Sequence, residues 1–165
     1  MLKDGGVYPV PVPLGWKLID QGGQEIEIQT VPGHPFHRIL ARGALLAVEG
    51  AGKDQPECIM FNQYSLPPGP LTTPILDRYV SIIMDRSAAS GCAPKLTSAR
   101  VTTCALSEEP CLKVVTNRTS PSDTRSEIRY LLRDNTRQGW ELVYLIRRQD
   151  FASWEPLLAE IEGPP

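Results

Sequence analysis

Two histidines lie close together in the segment Gly33-His-Pro-Phe-His37. Paired imidazoles could bind a metal ion, but Pro35 prevents the helical geometry that would direct both rings to one ion, and no third ligand stands nearby in the sequence. Nucleophilic catalysis is not indicated either, because no Gly-x-Ser-x-Gly turn and no family-specific cysteine motif occurs. We therefore predict loop histidines, no metal and no catalytic residue.

The segment Gly50-Ala-Gly-Lys53 partly matches a phosphate-binding loop. A Walker sequence requires a glycine five residues before the second glycine and a hydroxyl side chain after the lysine. Ala47 and Asp54 occupy those two positions. Asp54 would place a negative charge where the hydroxyl group should bind magnesium. We predict a polar hairpin turn here, and no cofactor.

The chain contains four cysteines, Cys58, Cys92, Cys104 and Cys111. They form no Cys-x-x-Cys pair and lack the tight spacing of a zinc site. Cys104 and Cys111 flank a predicted turn, which suits a disulfide across a hairpin, and Cys58 and Cys92 would form a second bridge. The alternative is four free thiols that are buried as small apolar groups in a reducing cytoplasm. The predicted compartment depends on this choice.

Residues 113–148 are locally basic, with eight basic side chains and four acidic ones. In strands with a period of two, Arg129 and Arg133 share a face, and Trp140, Tyr144 and Arg148 share a face of the next strand. If the register brings these faces together, they form an arginine and aromatic surface of the kind enriched at protein interfaces. These five residues are our candidate binding site. In the alternative, Trp140 and Tyr144 point into the core and the arginines are solvated.

The elements that must position these residues are mainly strands. Residues 7–13 carry proline at every second position from Pro9, which predicts an edge strand. Residues 16–20 and 25–31 are predicted to form a hairpin with Ile26, Ile28 and Thr30 on one half-buried face, followed by two antiparallel strands. Those two strands are residues 39–48 and 57–64.

The second half begins with a helix. Thr72, Thr73 and Pro74 supply a helix start, and apolar residues then recur at helical spacing to Arg86. Residues 95–106 and 111–117 are predicted as paired strands, residues 119–126 as a loop, and residues 127–134 and 140–148 as a hairpin. A short amphipathic helix closes the chain from about Ser153. We expect one α+β domain over residues 1–165, with a mostly antiparallel sheet of about six to eight strands flanked by two main helices.

This order of elements resembles the PsbP and Mog superfamily. The resemblance is carried by Leu14-Gly-Trp16, the helix at residues 74–86, the run at residues 129–132, and Gly139-Trp-Glu-Leu-Val-Tyr-Leu145 before the last helix. It implies an α/β/α sandwich. Members of the superfamily are typically non-catalytic, and include extrinsic subunits of photosystem II, a Ran-binding factor, bacterial lipoproteins and chaperones for secreted effectors. The resemblance therefore implies a binding or assembly role.

Composition excludes several classes of protein. The net charge of −2 gives no general attraction to nucleic acid or to anionic membranes. The longest apolar runs are far shorter than the roughly 20 residues of a membrane-spanning helix. The first six residues are polar and carry no signal peptide, although one could have been removed.

We therefore expect a non-catalytic protein that binds another protein in the bacterial cell envelope, either periplasmic or lipid-anchored through a trimmed signal. A cytoplasmic chaperone or immunity-type protein is the first alternative. The second is a small-molecule binder or small enzyme, with a pocket formed by residues distant in the sequence.

Overall fold

The computed structural model describes residues 8–20, 26–49, 57–89, 94–105, 109–120, 123–133 and 138–163. Ten strands and two α-helices lie within these ranges, which confirms the predicted α+β class. The strands are β1 (Tyr8–Pro13), β2 (Lys17–Asp20), β3 (Glu27–Thr30), β4 (Phe36–Ala41), β5 (Leu45–Val48), β6 (Cys58–Tyr64), β7 (Lys95–Thr102), β8 (Cys111–Ser120), β9 (Asp123–Arg133) and β10 (Gly139–Arg147). The helices are α1 (Thr73–Ala89) and α2 (Phe151–Glu162), with a 3₁₀ turn at Arg148–Asp150 before α2.

The strands form two antiparallel sheets. Seven strands make the larger sheet in the order β2-β5-β6-β10-β9-β8-β7, and three make the smaller one in the order β1-β4-β3. The long hairpin of β9 and β10 lies near the centre of the larger sheet. One face of the hairpin is aromatic and aliphatic, with Ile128, Tyr130, Leu142 and Tyr144 in the larger core cluster. The other face combines Leu131 with charged side chains such as Arg129 and Glu141.

Each face of the larger sheet packs against a different layer. Leu76, Tyr79 and Ile83 of α1 pack with Leu112 and Leu131 on one face. The other face packs against α2 and the smaller sheet in a larger cluster. That cluster includes Val10, Ile39, Ile128, Tyr130, Leu142, Tyr144, Trp154 and Ile161. The sheet is therefore the middle of three layers.

The two helices form largely as the sequence predicts. The N–H group of Leu76 donates to the carbonyl oxygen of Thr72, and α1 extends from Thr73 to Ala89. α2 begins at Phe151, slightly earlier than predicted, and contains Pro156. Within the described parts of the chain, neither helix combines the length and hydrophobicity needed to cross a membrane.

β1 is an edge strand of the smaller sheet, as its prolines predict. In the described part of the chain it pairs with β4 alone, from Tyr8 with Ala41 to Pro13 with Phe36. Leu14 continues the ladder by donating its N–H to Pro35, so the prolines at odd positions fall on the side away from β4. The outer edge of β1 therefore lacks N–H donors there, which protects it from pairing with another strand.

Three predictions about strands are wrong. Residues 16–20 and 25–31 do not form a hairpin, because β2 pairs with β5 in the larger sheet while β3 pairs with β4 in the smaller one. Residues 39–48 are not one strand but belong to β4 and β5, in different sheets. The loop predicted for residues 119–126 is wrong at its described positions, because residues 119–120 belong to β8 and residues 123–126 to β9, paired as far as Ser120 and Asp123. The predicted pairing of Leu45–Val48 with β6 is confirmed.

The predicted disulfide between Cys104 and Cys111 is present, with the two Cα atoms 5.9 Å apart. It links the segment that follows β7 to the first residue of β8. Cys58 carries a free, half-buried thiol, so the second predicted bridge is not formed from it. Its proposed partner, Cys92, lies outside the described residues.

Gly139 occupies the most crowded glycine position among those described. A Cβ atom there would lie 2.3 Å from the carbonyl oxygen of Tyr64 and 2.6 Å from a methyl group of Leu66. Gly139 also pairs with Tyr64 on one side and Arg133 on the other, at the start of β10. Only glycine lets β6 approach β10 this closely.

We predict that Gly139→Ala destabilises the protein by about 1 to 3 kcal/mol, because the added methyl group overpacks this contact. The measurement is urea unfolding followed by circular dichroism. Gly33→Ala is the control, since its site has no atom within 4 Å of the added Cβ and bears only the strain of a positive φ of 79°. Equal stability of wild type and Gly139→Ala would contradict the crowding argument.

Candidate binding groove beside the first helix

The register of β9 and β10 separates the residues predicted to form one binding surface. Arg129, Leu131 and Arg133 occupy every second position of β9, so they share one face, which points toward α1. Trp140 and Tyr144 pack in the larger cluster on the opposite face. The predicted arginine and aromatic surface therefore does not form, because the two sets of side chains leave the sheet in opposite directions.

The two aromatic residues serve the core. Tyr144 is fully buried, and its hydroxyl donates to the carbonyl oxygen of Pro11 over 3.0 Å. Trp140 is half-buried and stacks on Phe61, with ring centroids 4.8 Å apart. The alternative in which both point into the core is closer to the structure than the surface prediction.

Arg148 does not extend the face of β10 as predicted. The strand ends at Arg147, and Arg148 starts the 3₁₀ turn with an exposed side chain. Arg147 instead forms ion pairs with Glu49, Glu57 and Asp150. Its guanidinium links the ends of β5, β6 and β10.

Arg133 is buried, with 3% of its surface exposed, rather than solvated. Its guanidinium donates to the carbonyl oxygens of Pro67 and Gly69, at 2.7 and 2.9 Å. Residues 65–72 connect β6 to α1 and have no strand or helix of their own. Arg133 therefore holds this connection against the end of β9.

Arg129 belongs to a chain of charged groups under α1. It donates to Glu127 over 2.6 Å and lies 3.9 Å from Glu141, while Arg118 donates to the other oxygen of Glu127. Tyr79 of α1 donates its hydroxyl hydrogen to Glu141. These contacts connect the helix to the charged residues of the central strands.

Above this network lies a mainly apolar groove of about 390 Å³ between α1 and the connection that precedes it. Its walls are Tyr64, Ser65, Leu66, Pro67, Ile75, Arg78, Tyr79, Ile82 and Leu131. Leu131 forms the buried floor, and the rings of Tyr64 and Tyr79 meet edge to face with centroids 5.4 Å apart. The volume lies within the usual range of ligand pockets.

One side of α1 forms the wall of the groove nearest the solvent. Ile75, Ile82 and Arg86 recur along that side, with Arg78 one turn after Ile75. Ile82 leaves 36% of its surface exposed, and both arginines are exposed. The groove thus combines an apolar interior with positive charge at its rim.

The phenols of the groove keep their protons at neutral pH. Burial raises the pKa of Tyr79 well above its ordinary value, and the charge of Glu141 and the hydrogen bond to it raise this pKa further. The pKa of Tyr64 is raised by burial and by Glu141, although Arg86 and Arg129 oppose the shift. Neither phenol is therefore available as a base at neutral pH.

The histidines lie apart from the groove. His34 is exposed and its ring lies 5.1 Å from that of Phe36, and burial lowers the pKa of the half-buried His37. Among the residues that the structure describes, no three His, Cys, Asp or Glu side chains are grouped to hold a metal ion. The segment of the partial phosphate-loop motif, residues 50–53, lies outside them.

The sequence interpretation missed the groove, although α1 carried a signal for it. Leu76, Tyr79 and Ile83 are the buried residues of α1 in the contact with the sheet, and Ile75 and Ile82 widen the apolar stripe beyond these three positions. The excess width indicates a second apolar contact on the flank of the helix.

Comparison with known proteins found no family model that matches the chain and no curated protein similar to it.

We predict that Arg133→Met lowers the free energy of unfolding by about 1 to 3 kcal/mol, because it leaves the Pro67 and Gly69 carbonyls without this donor. Amide hydrogen exchange should rise at Ser65, Leu66, Gly69 and Leu71, the residues from 65 to 71 that carry an amide hydrogen. Arg133→Lys should lose less, since it keeps a donor, and Arg148→Met should stay within about 0.5 kcal/mol because that arginine is exposed. Unchanged exchange in the Met variant would refute the anchoring role.

Proposed function

We propose that this chain is a non-catalytic protein-binding or assembly domain, and that it binds an apolar, acidic segment of a partner protein in the groove beside α1. The observation that carries the proposal is the apolar groove between α1 and residues 65–67, with Ile82 exposed at its edge. Exposed apolar surface in a concave site is typical of a binding site.

The apolar character of the partner segment is inferred from the side chains that form the walls of the groove. Leu66, Ile75, Ile82 and Leu131 offer no hydrogen-bonding side chain, so they favour aliphatic or aromatic groups. The floor and the connection are held from below by Tyr79 and Arg133. A groove that is held in shape before binding loses less conformational entropy when a partner enters.

The acidic character of the partner segment is inferred from the basic side chains at the rim of the groove. Arg78 lines the groove, and Arg86 lies close enough to the wall residue Tyr64 for its charge to act on that phenol. Carboxylates flanking an apolar anchor would meet these guanidinium groups at a surface where charge complementarity mainly improves specificity and the rate of association.

We predict that Ile82→Glu and Arg78→Glu each weaken peptide binding at least about tenfold without unfolding the protein, since they place negative charge in the groove or at its rim. Peptides are first selected from a random display library on the wild-type protein. Their dissociation constants are then measured by fluorescence anisotropy on each variant.

The matched control is Ile28→Glu, which changes an isoleucine with 57% exposure on β3, away from the groove. It should bind the selected peptides as the wild type does. Circular dichroism checks that all three variants are folded. The proposal fails if no peptide is enriched, or if the enriched peptides bind Ile82→Glu as tightly as the wild type.

We also propose that the domain works in the cell envelope, as a periplasmic or lipid-anchored protein. The support is the Cys104–Cys111 disulfide, since such bonds persist mainly in oxidising compartments. A cytoplasmic chaperone or immunity-type protein would instead keep these cysteines reduced.

We predict that protein isolated from its native source, alkylated before and after reduction, gains two further labels on reduction, at Cys104 and Cys111. Cys58 should be labelled without reductant and serves as the internal control. Peptide mass spectrometry assigns each label. Labelling of Cys104 and Cys111 before reduction would remove the argument for an oxidising compartment.

A further inference from the structure

A second pocket lies on the opposite face of the larger sheet from the groove. It has a volume of about 240 Å³ and lies between β1, the start of β4 and the first turn of α2. Its walls include Pro13, Trp16, Pro35, Phe36, Glu57 and Trp154. Because this volume is below the usual range for drug-sized ligands, the pocket fits a compact chemical group.

Two tryptophans form its aromatic part. The rings of Trp16 and Trp154 meet edge to face, with centroids 5.5 Å apart and planes at 81°. Trp154 also contacts Tyr144, whose hydroxyl is held by Pro11. Gly15 has a φ of 83°, which favours glycine and sets the turn that presents Trp16. Both rings are therefore positioned before any ligand binds.

Glu57 supplies a carboxylate with only 5% of the residue exposed. It accepts the backbone N–H of Arg147 at 2.8 Å and the guanidinium of Arg147 at 3.2 Å. Arg147 does not line the pocket and also pairs with Glu49 and Asp150, so three carboxylates share its charge. The lining itself presents a carboxylate and no basic side chain.

The start of α2 also faces this pocket, through Ser153 and Trp154. A helix start carries partial positive charge, which would oppose a cation. Asp150 stands directly before α2 and offsets that charge, and Ser153 donates its hydroxyl hydrogen to the Asp150 carbonyl oxygen. Aromatic rings, a buried carboxylate and rigid prolines remain as the chemistry of the walls.

We propose that this pocket binds a methylated ammonium group, such as the trimethylammonium of choline. Tryptophan faces attract such a cation through their quadrupole. The methyl groups of the cation pack well against apolar walls, whereas an unmethylated ammonium would have to lose its hydration there. Glu57 contributes the opposite charge. This site is independent of the proposed peptide groove, which lies on the other face of the sheet.

The test is a titration of tryptophan fluorescence in a Trp140→Phe background, which leaves Trp16 and Trp154 as the reporters among the three tryptophans of the chain. Choline chloride should give a saturable change in emission, with sodium chloride at matched ionic strength as the blank. The neutral isostere 3,3-dimethylbutan-1-ol should bind about tenfold more weakly, because it has the same shape and no charge.

Trp16→Ala should abolish choline binding, and Glu57→Gln should weaken it several-fold. Saturation-transfer NMR on the choline methyl groups gives a readout that does not need Trp16, and circular dichroism checks folding. If the protein co-sediments with phosphatidylcholine vesicles and choline abolishes this co-sedimentation, the bound group is a lipid headgroup. If the protein does not co-sediment with the vesicles, the bound group is a free cation. Equal affinity for choline and the neutral isostere, or no saturable response to choline in either readout, would overturn the proposal.

Discussion

The alternation of side chains along β9 and β10 constrains the rest of the molecule. Both strands are covered on both faces, so each residue is assigned to one of two buried layers by its position in the register. A slip of one residue would turn Arg129 and Arg133 toward the apolar layer around Trp154. Burying such charges without partners costs several kcal/mol each, which opposes any other register. Gly139 adds a steric constraint at the start of β10, where β6 approaches most closely.

The local excess of basic residues is explained by this constraint. Arg129, Arg133 and Arg147 form contacts inside the fold, with carboxylates or backbone carbonyls. Lys113 does the same at the end of α2, where Glu162 accepts hydrogen bonds from Lys113 and from the hydroxyl of Tyr130. Burial alone would raise the pKa of Glu162, but these hydrogen bonds and the positive charges beside it hold the pKa below its ordinary value. Much of the basic character seen in the sequence therefore stabilises contacts within the larger sheet and between the sheet and the segments next to it, rather than forming one surface patch.

Local patterns in the sequence were sufficient for the α+β class, for both helices and for the hairpin of β9 and β10. They were sufficient because helical spacing, the cap at α1 and the paired apolar runs act over a few residues. Local patterns did not predict the pairing of β2 and β3, because two strands that are neighbours in sequence can join different sheets. The local sequence does not determine which partner strand each one pairs with. The prediction of the binding surface failed for a related reason. It was correct that Trp140 and Tyr144 share one face of β10. Whether that face lies on the same side of the sheet as Arg129 depends on the register between β9 and β10, which local patterns do not determine. The groove and the aromatic pocket combine residues far apart in sequence, such as Leu66 with Leu131 and Trp16 with Trp154.

The groove and the aromatic pocket lie on opposite faces, yet both are supported by β10. Glu141 accepts the hydroxyl of Tyr79 beneath the groove, and Tyr144, three residues along, packs against Trp154 of the pocket. An odd separation of three places these two side chains on opposite faces of the same strand. β10 itself is fixed by pairing with β6 on one side and β9 on the other. One rigid strand can therefore hold two sites of different chemistry, an apolar groove with a basic rim and an aromatic pocket with a carboxylate, without either intruding on the other.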